Sequence, residues 1–220
     1  MTARTDGDRL TRMLSSALAL CLVVSCSPAT HLVAQGNPVG PPRDSVPVGY
    51  GSLRRDDIVL RFATDQMQLQ ILPLDERVIR LLAPDTYRSL EQLIESRRSD
   101  IADAARRAGL SSPSLVMVTF YALVPGARFT PDDVQLQARG RQLRPQGIVP
   151  LSPTWNTLQL DQKQQAVAIY LYDEGISWFD DLSASYQGPA GSWSHSVRLL
   201  QQERARVQAR AQSQPSQPNP

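Results

Sequence analysis

Between Met67 and Ile71 the chain alternates strictly: Met67, Leu69 and Ile71 are apolar, and Gln68 and Gln70 separate them. A period of two predicts a strand that is dry on one face and wet on the other. The preceding run Ile58-Val59-Leu60-Arg61-Phe62 predicts its partner, joined by a tight turn at Thr64-Asp65-Gln66. Ser114 to Leu123 is apolar on both parities (Leu115, Met117, Tyr121 and Leu123 against Val116, Val118 and Phe120), and so is Ala166 to Tyr172. Strands of that kind belong at the centre of a sheet, covered on both sides. Shorter strand candidates are Val134 to Ala138, Leu143 to Val149 and Thr157 to Leu160, punctuated by Pro145, Gly147, Pro150 and Pro153. Leu182, Ala184 and Tyr186 alternate with serines and add another.

The period lengthens after Pro84. Tyr87, Leu90, Ile94, Ile101, Ala104 and Ala108 share a stripe, while Arg88, Glu91, Glu95, Arg98 and Asp103 fall outside it. This predicts one long amphipathic helix, capped by Asp85 or Thr86 and ended by Gly109 after Arg106 and Arg107, which suit its C-terminal dipole. Asp75 to Leu82 is a short helix or strand leading into it. A second helix is predicted from Ser196 to Ala211, on a thin seam of Val197, Leu200 and Val207. Strands, a long helix, a run of strands and a final helix give an α+β class. The expected architecture is a single domain over 49–211: an antiparallel β-sandwich-like core with one long amphipathic helix and a C-terminal helix. A single long crossover helix disfavours parallel winding, and nothing repeats at a fixed period.

The two ends lack this patterning. Residues 1–26 open with Arg4, Arg9 and Arg12 and continue through an uncharged apolar run from Met13 to Val24. A dozen apolar positions is short of the roughly 20 needed to span a bilayer and suits a secretory signal. The run closes on Val23-Val24-Ser25-Cys26, which resembles the lipobox of bacterial lipoproteins. The resemblance covers four residues of a processing signal and carries no information on fold. It implies cleavage before Cys26 and lipidation of that residue. Ordinary cleavage after Ala34 is the rival, although the small residue expected two places before it is missing. Ser27, in place of the aspartate associated with inner-membrane retention, implies an outer-membrane anchor facing the periplasm; a secreted soluble periplasmic protein is the alternative. Residues 27–48 are rich in proline and glycine and predict a flexible tether, with a root-mean-square span of about 25 Å. The tail 212–220 contains only Gln, Ser, Pro and Asn and is expected to be disordered.

Charge and cysteine usage narrow the classes further. The formal charge is +2, with arginine and acidic residues interspersed, which is no footprint for nucleic acid. Both cysteines, Cys21 and Cys26, lie in the signal segment, so the domain has no thiol to pair or to bind metal.

Little catalytic chemistry is visible. Of two histidines, His31 falls in the tether and His195 stands beside Trp193 without a nearby acid. No nucleophile elbow, P-loop, dinucleotide fingerprint or zinc-protease motif occurs. Asp132-Asp133, Asp173-Glu174 and Asp180-Asp181 cluster, but the 173–181 segment lacks the spacing of an EF-hand loop, and turn capping explains it as well as calcium does. The Arg-rich final helix, with Arg198, Arg204, Arg206 and Arg210, is diluted by Glu203 and by glutamines. Trp155, Trp178 and Trp193 lie near predicted strand ends, where they close the core or meet a ligand. The expectation is a non-enzymatic envelope lipoprotein, held at the membrane by its lipid and binding another envelope protein, without cofactor or metal. Trp178 and Phe179 are the exposed groups expected to bind. A glycan- or lipid-binding sandwich using the Trp-bearing loops is the alternative.

Overall fold

The structure, a computed structural model, describes residues 46–173 and 175–213. Contacts divide the chain into 1–40 and 41–220, and all that follows concerns the second unit. The signal segment with Cys26, the tether up to residue 45, Glu174 and the tail from 214 lie outside the described residues.

The first half contains β1 (Leu60–Ala63), β2 (Met67–Pro73), α1 (Glu76–Ile79), α2 (Pro84–Ser96), α3 (Arg98–Ala108) and β3 (Ser114–Ala122). Then come β4 (Ala127–Arg128), β5 (Gln135–Ala138), β6 (Arg141–Leu143), β7 (Gly147–Pro150) and β8 (Gln159–Leu160). The chain ends with β9 (Gln165–Tyr172), β10 (Leu182–Ser185), β11 (Ala190–Ser192) and α4 (Ser194–Ser213). Five strands form one sheet in the order β1-β2-β3-β9-β7, four form another in the order β11-β10-β5-β6, and β4-β8 is a separate ribbon. Every strand pair is antiparallel. The class is α+β with a sandwich-like core and a C-terminal helix, as the patterning predicts.

The two doubly apolar runs, β3 and β9, lie side by side within the five-stranded sheet, with Val118 and Ile169 fully buried. The face carrying Leu60, Phe62, Leu69, Ile71, Val118, Phe120, Tyr170 and Tyr172 turns inward. Gly191 of β11 lies so close to Leu60 and Phe62 that a Cβ there would sit 3.0 Å from both side chains, so the missing side chain lets the second sheet close over β1. Phe120 stacks on Phe129 at 4.7 Å and meets Tyr186 edge-on at 5.4 Å, and Trp155 meets Tyr170 edge-on at 6.0 Å. Three buried phenols anchor the segment 130–134 that leads into β5. Tyr170 donates to the Pro131 carbonyl (3.0 Å), Tyr172 to the Val134 carbonyl (3.2 Å), and Tyr186 accepts from the Thr130 N–H (3.0 Å). Burial raises the pKa of both Tyr170 and Tyr172, keeping them neutral donors.

The long amphipathic stretch runs as two helices. The Ser96 hydroxyl donates to the Leu93 carbonyl at 2.8 Å, and Arg97 leaves helical geometry at φ −111°, ψ 9° before α3 resumes. The stripe then splits: Tyr87 and Leu90 are buried from α2, Ile101, Ala104 and Ala105 from α3, and Ile94 near the break is only half-buried. α3 packs on β7 through small residues, since a Cβ on Gly147 would touch Ala104 at 3.5 Å. Gly109 closes α3 in the left-handed conformation at φ 70°.

α4 runs back along the segment 50–57. The Ser196 hydroxyl reaches the Asp57 carbonyl at 3.4 Å, Glu203 receives Ser52, and Arg210 donates to the Tyr50 carbonyl at 2.5 Å. Among the described residues, no helix is long and apolar enough to cross a membrane.

Candidate functional site

α2 and α3 cover only part of the outer face of the five-stranded sheet. The uncovered part is the wet side that the β2 glutamines predict. Strand register places Arg61 opposite Gln70, Gln70 opposite Thr119, and Thr119 opposite Val167. The Leu151 N–H bonds to the Val167 carbonyl at 2.8 Å and extends this row by one more chain. Directly opposed residues share a face, so Arg61, Gln70, Thr119, Val167 and Leu151 form one line across the sheet. That line is the floor of a groove of about 640 Å³. Ser89, Leu90 and Leu93 of α2 make one wall, Met117 and Gln165 flank the floor, and Arg55 and Asp56 stand at the Arg61 end.

The groove grades from charged to apolar. Arg61 is tied to Asp56 through its carboxylate at 2.5 Å and its carbonyl at 3.4 Å. Arg55 has no hydrogen-bond or ion-pair partner among the described residues, so the Arg61 end keeps an unspent positive charge. The middle offers the amides of Gln70 and Gln165 and the nearly buried Thr119. At the far end, Ser152 is already engaged, its hydroxyl accepting from the Val167 N–H at 2.9 Å beside Leu151. The lining contains one carboxylate, no histidine and no aromatic ring. Such a surface can bind through hydrogen bonds, charge and apolar contact, and it presents no acid–base pair.

The tryptophans are elsewhere. Trp178 was expected at the surface, but it is 1% exposed and packs edge-on against Trp193 at 5.4 Å. The Trp193 indole donates to the Trp178 carbonyl at 2.9 Å, which locks the pair behind β10 and the start of α4. The Trp178 Nε1 has no hydrogen-bond partner among the described residues. Phe179 is half-buried against the core, with the Arg204 guanidinium 5.4 Å over its ring. Both residues therefore serve packing: Ile176, Trp178 and Phe179 in this short loop are turned toward the core, and neither ring is free as an exposed binding group. Trp155 is buried as well. His195 is exposed on α4 and does not line the groove.

The acidic 173–181 loop pairs with arginines. Asp173 lies 3.9 Å from Arg141, and Asp180 is hydrogen-bonded by Arg139, which holds its carboxyl below the usual range. No cluster of potential metal ligands occurs among the described residues.

Two polar features escape sequence reasoning. The groove depends on register between strands up to about 50 residues apart, and only the β2 glutamines signal it. Glu203 reads as a solvated charge, yet it is 1% exposed. Its signal is position: three residues after Leu200 and four before Val207, it falls on the apolar seam of α4. No protein-family model, curated protein or solved structure matches the chain.

Proposed function

We propose that the chain is an exported lipoprotein whose domain binds a segment of a protein partner without catalysis, and that the groove over the five-stranded sheet is where it binds. The observation that carries this reading is the line of Arg61, Gln70, Thr119, Val167 and Leu151 left open beside α2. A sheet face built only for stability would be covered by the helix pair or wholly polar. This one mixes the amides of Gln70 and Gln165, the Arg55 guanidinium that is unpaired among the described residues, and apolar side chains in one concavity, the pattern of a recognition surface. The lack of an aromatic platform weighs against a stacked sugar. The signal segment and its lipobox-like end support export and anchoring.

Site-specific photo-crosslinking in the native host tests the binding site. A photoreactive residue at Ser89 or Gln165, both exposed in the groove, should give discrete protein adducts. The same group at Gln137, exposed on the other sheet, should not. Val167→Trp, which fills the floor, should abolish the Ser89 adduct while thermal unfolding is unchanged. Adducts equal at all three positions, or none from the groove, would remove the groove as the binding site.

A further inference from the structure

We propose that the occupant of the groove is an extended, acidic peptide segment, with a carboxylate at the Arg55 and Arg61 end and an aliphatic side chain at the Leu151 end. This deepens the binding reading above and rests on it.

The argument begins with order along the floor. Crossing the sheet from β1 to the chain beyond β7, the residues run cation, amide, hydroxyl, apolar, apolar: Arg61, Gln70, Thr119, Val167, Leu151. A surface with that gradient discriminates direction, because a ligand gains fully only when its own polarity runs the same way. The charged end is set for an anion. Asp56 is the single carboxylate of the lining and is spent on Arg61, while Arg55 is exposed and has no hydrogen-bond or ion-pair partner among the described residues. The sum of the two guanidiniums and one carboxylate is one positive charge. The apolar end is set for an aliphatic group, since Val167 and Leu151 close the floor there and Leu90 and Leu93 of α2 line the same groove.

The middle separates a peptide from a lipid. A fatty acid could place its carboxylate on Arg55 and its chain toward Leu151, but the methylenes would then cover the Gln70, Gln165 and Thr119 side chains and leave them without hydrogen-bond partners. A peptide backbone offers an N–H and a carbonyl at every residue and can satisfy those groups along the way. Length agrees. Four inter-chain steps of roughly 4.8 Å make a floor of about 19 Å. An extended chain covers that in about six residues at roughly 3.3 Å each. The recognised segment thus has an Asp or Glu and an aliphatic residue separated by about five positions, with hydrophilic or small residues between.

A random peptide array with blocked termini, probed with the full chain, tests this. The expected enrichment is for Asp or Glu about five positions from Leu, Ile or Val, with affinity falling as salt rises. Arg55→Ala should weaken the enriched peptides about tenfold, the loss of one charge-assisted hydrogen bond, and Arg55→Lys should recover part of it. Arg55 is exposed and makes no hydrogen bond or ion pair among the described residues, so unchanged thermal unfolding of these variants is expected and certifies the comparison. Enrichment indifferent to acidic residues, binding unchanged by Arg55→Ala, or dodecanoate binding in the groove where no peptide does would each overturn the proposal. If these fail while Ser89 still crosslinks to protein, the groove remains a protein-binding site with a different specificity. If the crosslink fails too, both readings fall together.

Discussion

The hydroxyl and the backbone N–H of Ser52 both donate to one carboxylate oxygen of Glu203, 151 residues further on, at 2.7 and 3.0 Å. Arg210 donates to the same oxygen at 2.9 Å and Arg206 lies 3.7 Å from the other. The segment by which the chain enters the domain is therefore fastened to the last helix through a buried charge. Burial pushes the Glu203 carboxyl up, but the bonds from Ser52 and Arg210 outweigh it and hold its pKa below the ordinary value of 4.5. A depressed carboxyl stabilises the fold above the unfolded value, and that contribution is lost as pH falls through the folded one. Glu203→Gln should cost about 1.5–3 kcal/mol near pH 7. In urea titrations the gap between wild type and variant should shrink as pH drops below 4.5. A gap independent of pH would refute the clamp.

The two faces of the sheet should respond unequally. Ile71 is buried on the inward face between β1 and β3, while Gln68, of opposite parity on the same strand, is half-exposed on the open face. Ile71→Ala should cost about 2–5 kcal/mol and Gln68→Ala close to nothing. Equal shifts in the unfolding midpoint would mean that the assignment of faces is wrong.

That assignment was legible in the chain because period-two patterning reports burial directly. The alternation at Met67, Leu69 and Ile71 and the doubly apolar runs at 114–123 and 166–172 separate a strand left wet on one face from strands covered on both. Register is a different quantity. Nothing local in Thr119 or Val167 announces that they stand beside Gln70, so the groove emerges only from pairing. The break at Arg97 was hidden for a similar reason. Ser96 and Arg97 are acceptable within a helix, and the break shows only in the Ser96 bond to the Leu93 carbonyl and the non-helical backbone of Arg97. Trp178 and Glu203 were misread in opposite directions, an aromatic placed outside and a charge placed in solvent. Type suggests a side chain's usual place, whereas its partners decide it, and those partners lie in distant elements.

The tryptophan pair allows a comparison within one contact. Trp193 uses its indole N–H on the Trp178 carbonyl, while the Trp178 N–H is buried without a partner among the described residues. Both Trp→Phe changes remove similar volume. Trp193→Phe also strands a carbonyl and should cost about 1–2 kcal/mol more than Trp178→Phe, which removes an unsatisfied donor. Chemical denaturation of the two variants decides the order. Alanine at both Trp178 and Phe179 should unfold the domain, because truncating one buried Trp alone costs about 3–5 kcal/mol.

Gly51 provides a steric prediction. A Cβ on it would lie 2.3 Å from the Leu81 carbonyl carbon and 2.4 Å from the Leu82 carbonyl oxygen, both backbone atoms that cannot rotate away. Leu53 N–H bonds to the Leu81 carbonyl at 3.1 Å, so the segment is held at that distance. Gly51→Ala should therefore push the 50–53 segment off the 81–82 backbone that follows α1 and strain the Ser52 contact to Glu203, costing about 1–3 kcal/mol or more. Gly49, with nothing within 4 Å of a Cβ but a φ of 91°, should lose less on the same change. A Gly51→Ala variant as stable as wild type would show that the close approach is not maintained in solution.

The anchor can be tested independently of the domain. If the four residues ending in Cys26 are a processing site, the mature chain begins at that cysteine and carries acyl groups. Intact-mass measurement of protein extracted from its native membrane should give the mass of 26–220 plus lipid, and Cys26→Ser should abolish the addition. An unmodified chain starting at Gln35 would instead assign cleavage to the Ala34 site and make the protein soluble in the periplasm. The residue after the cysteine gives a second, separable outcome. Ser27 lacks the charge associated with retention at the inner membrane, so the wild type should fractionate with the outer membrane. Ser27→Asp should move it to the inner membrane without changing its mass by more than the substitution. A single lipid-bearing form that stays in the inner membrane with either residue would keep the anchor and discard the sorting argument.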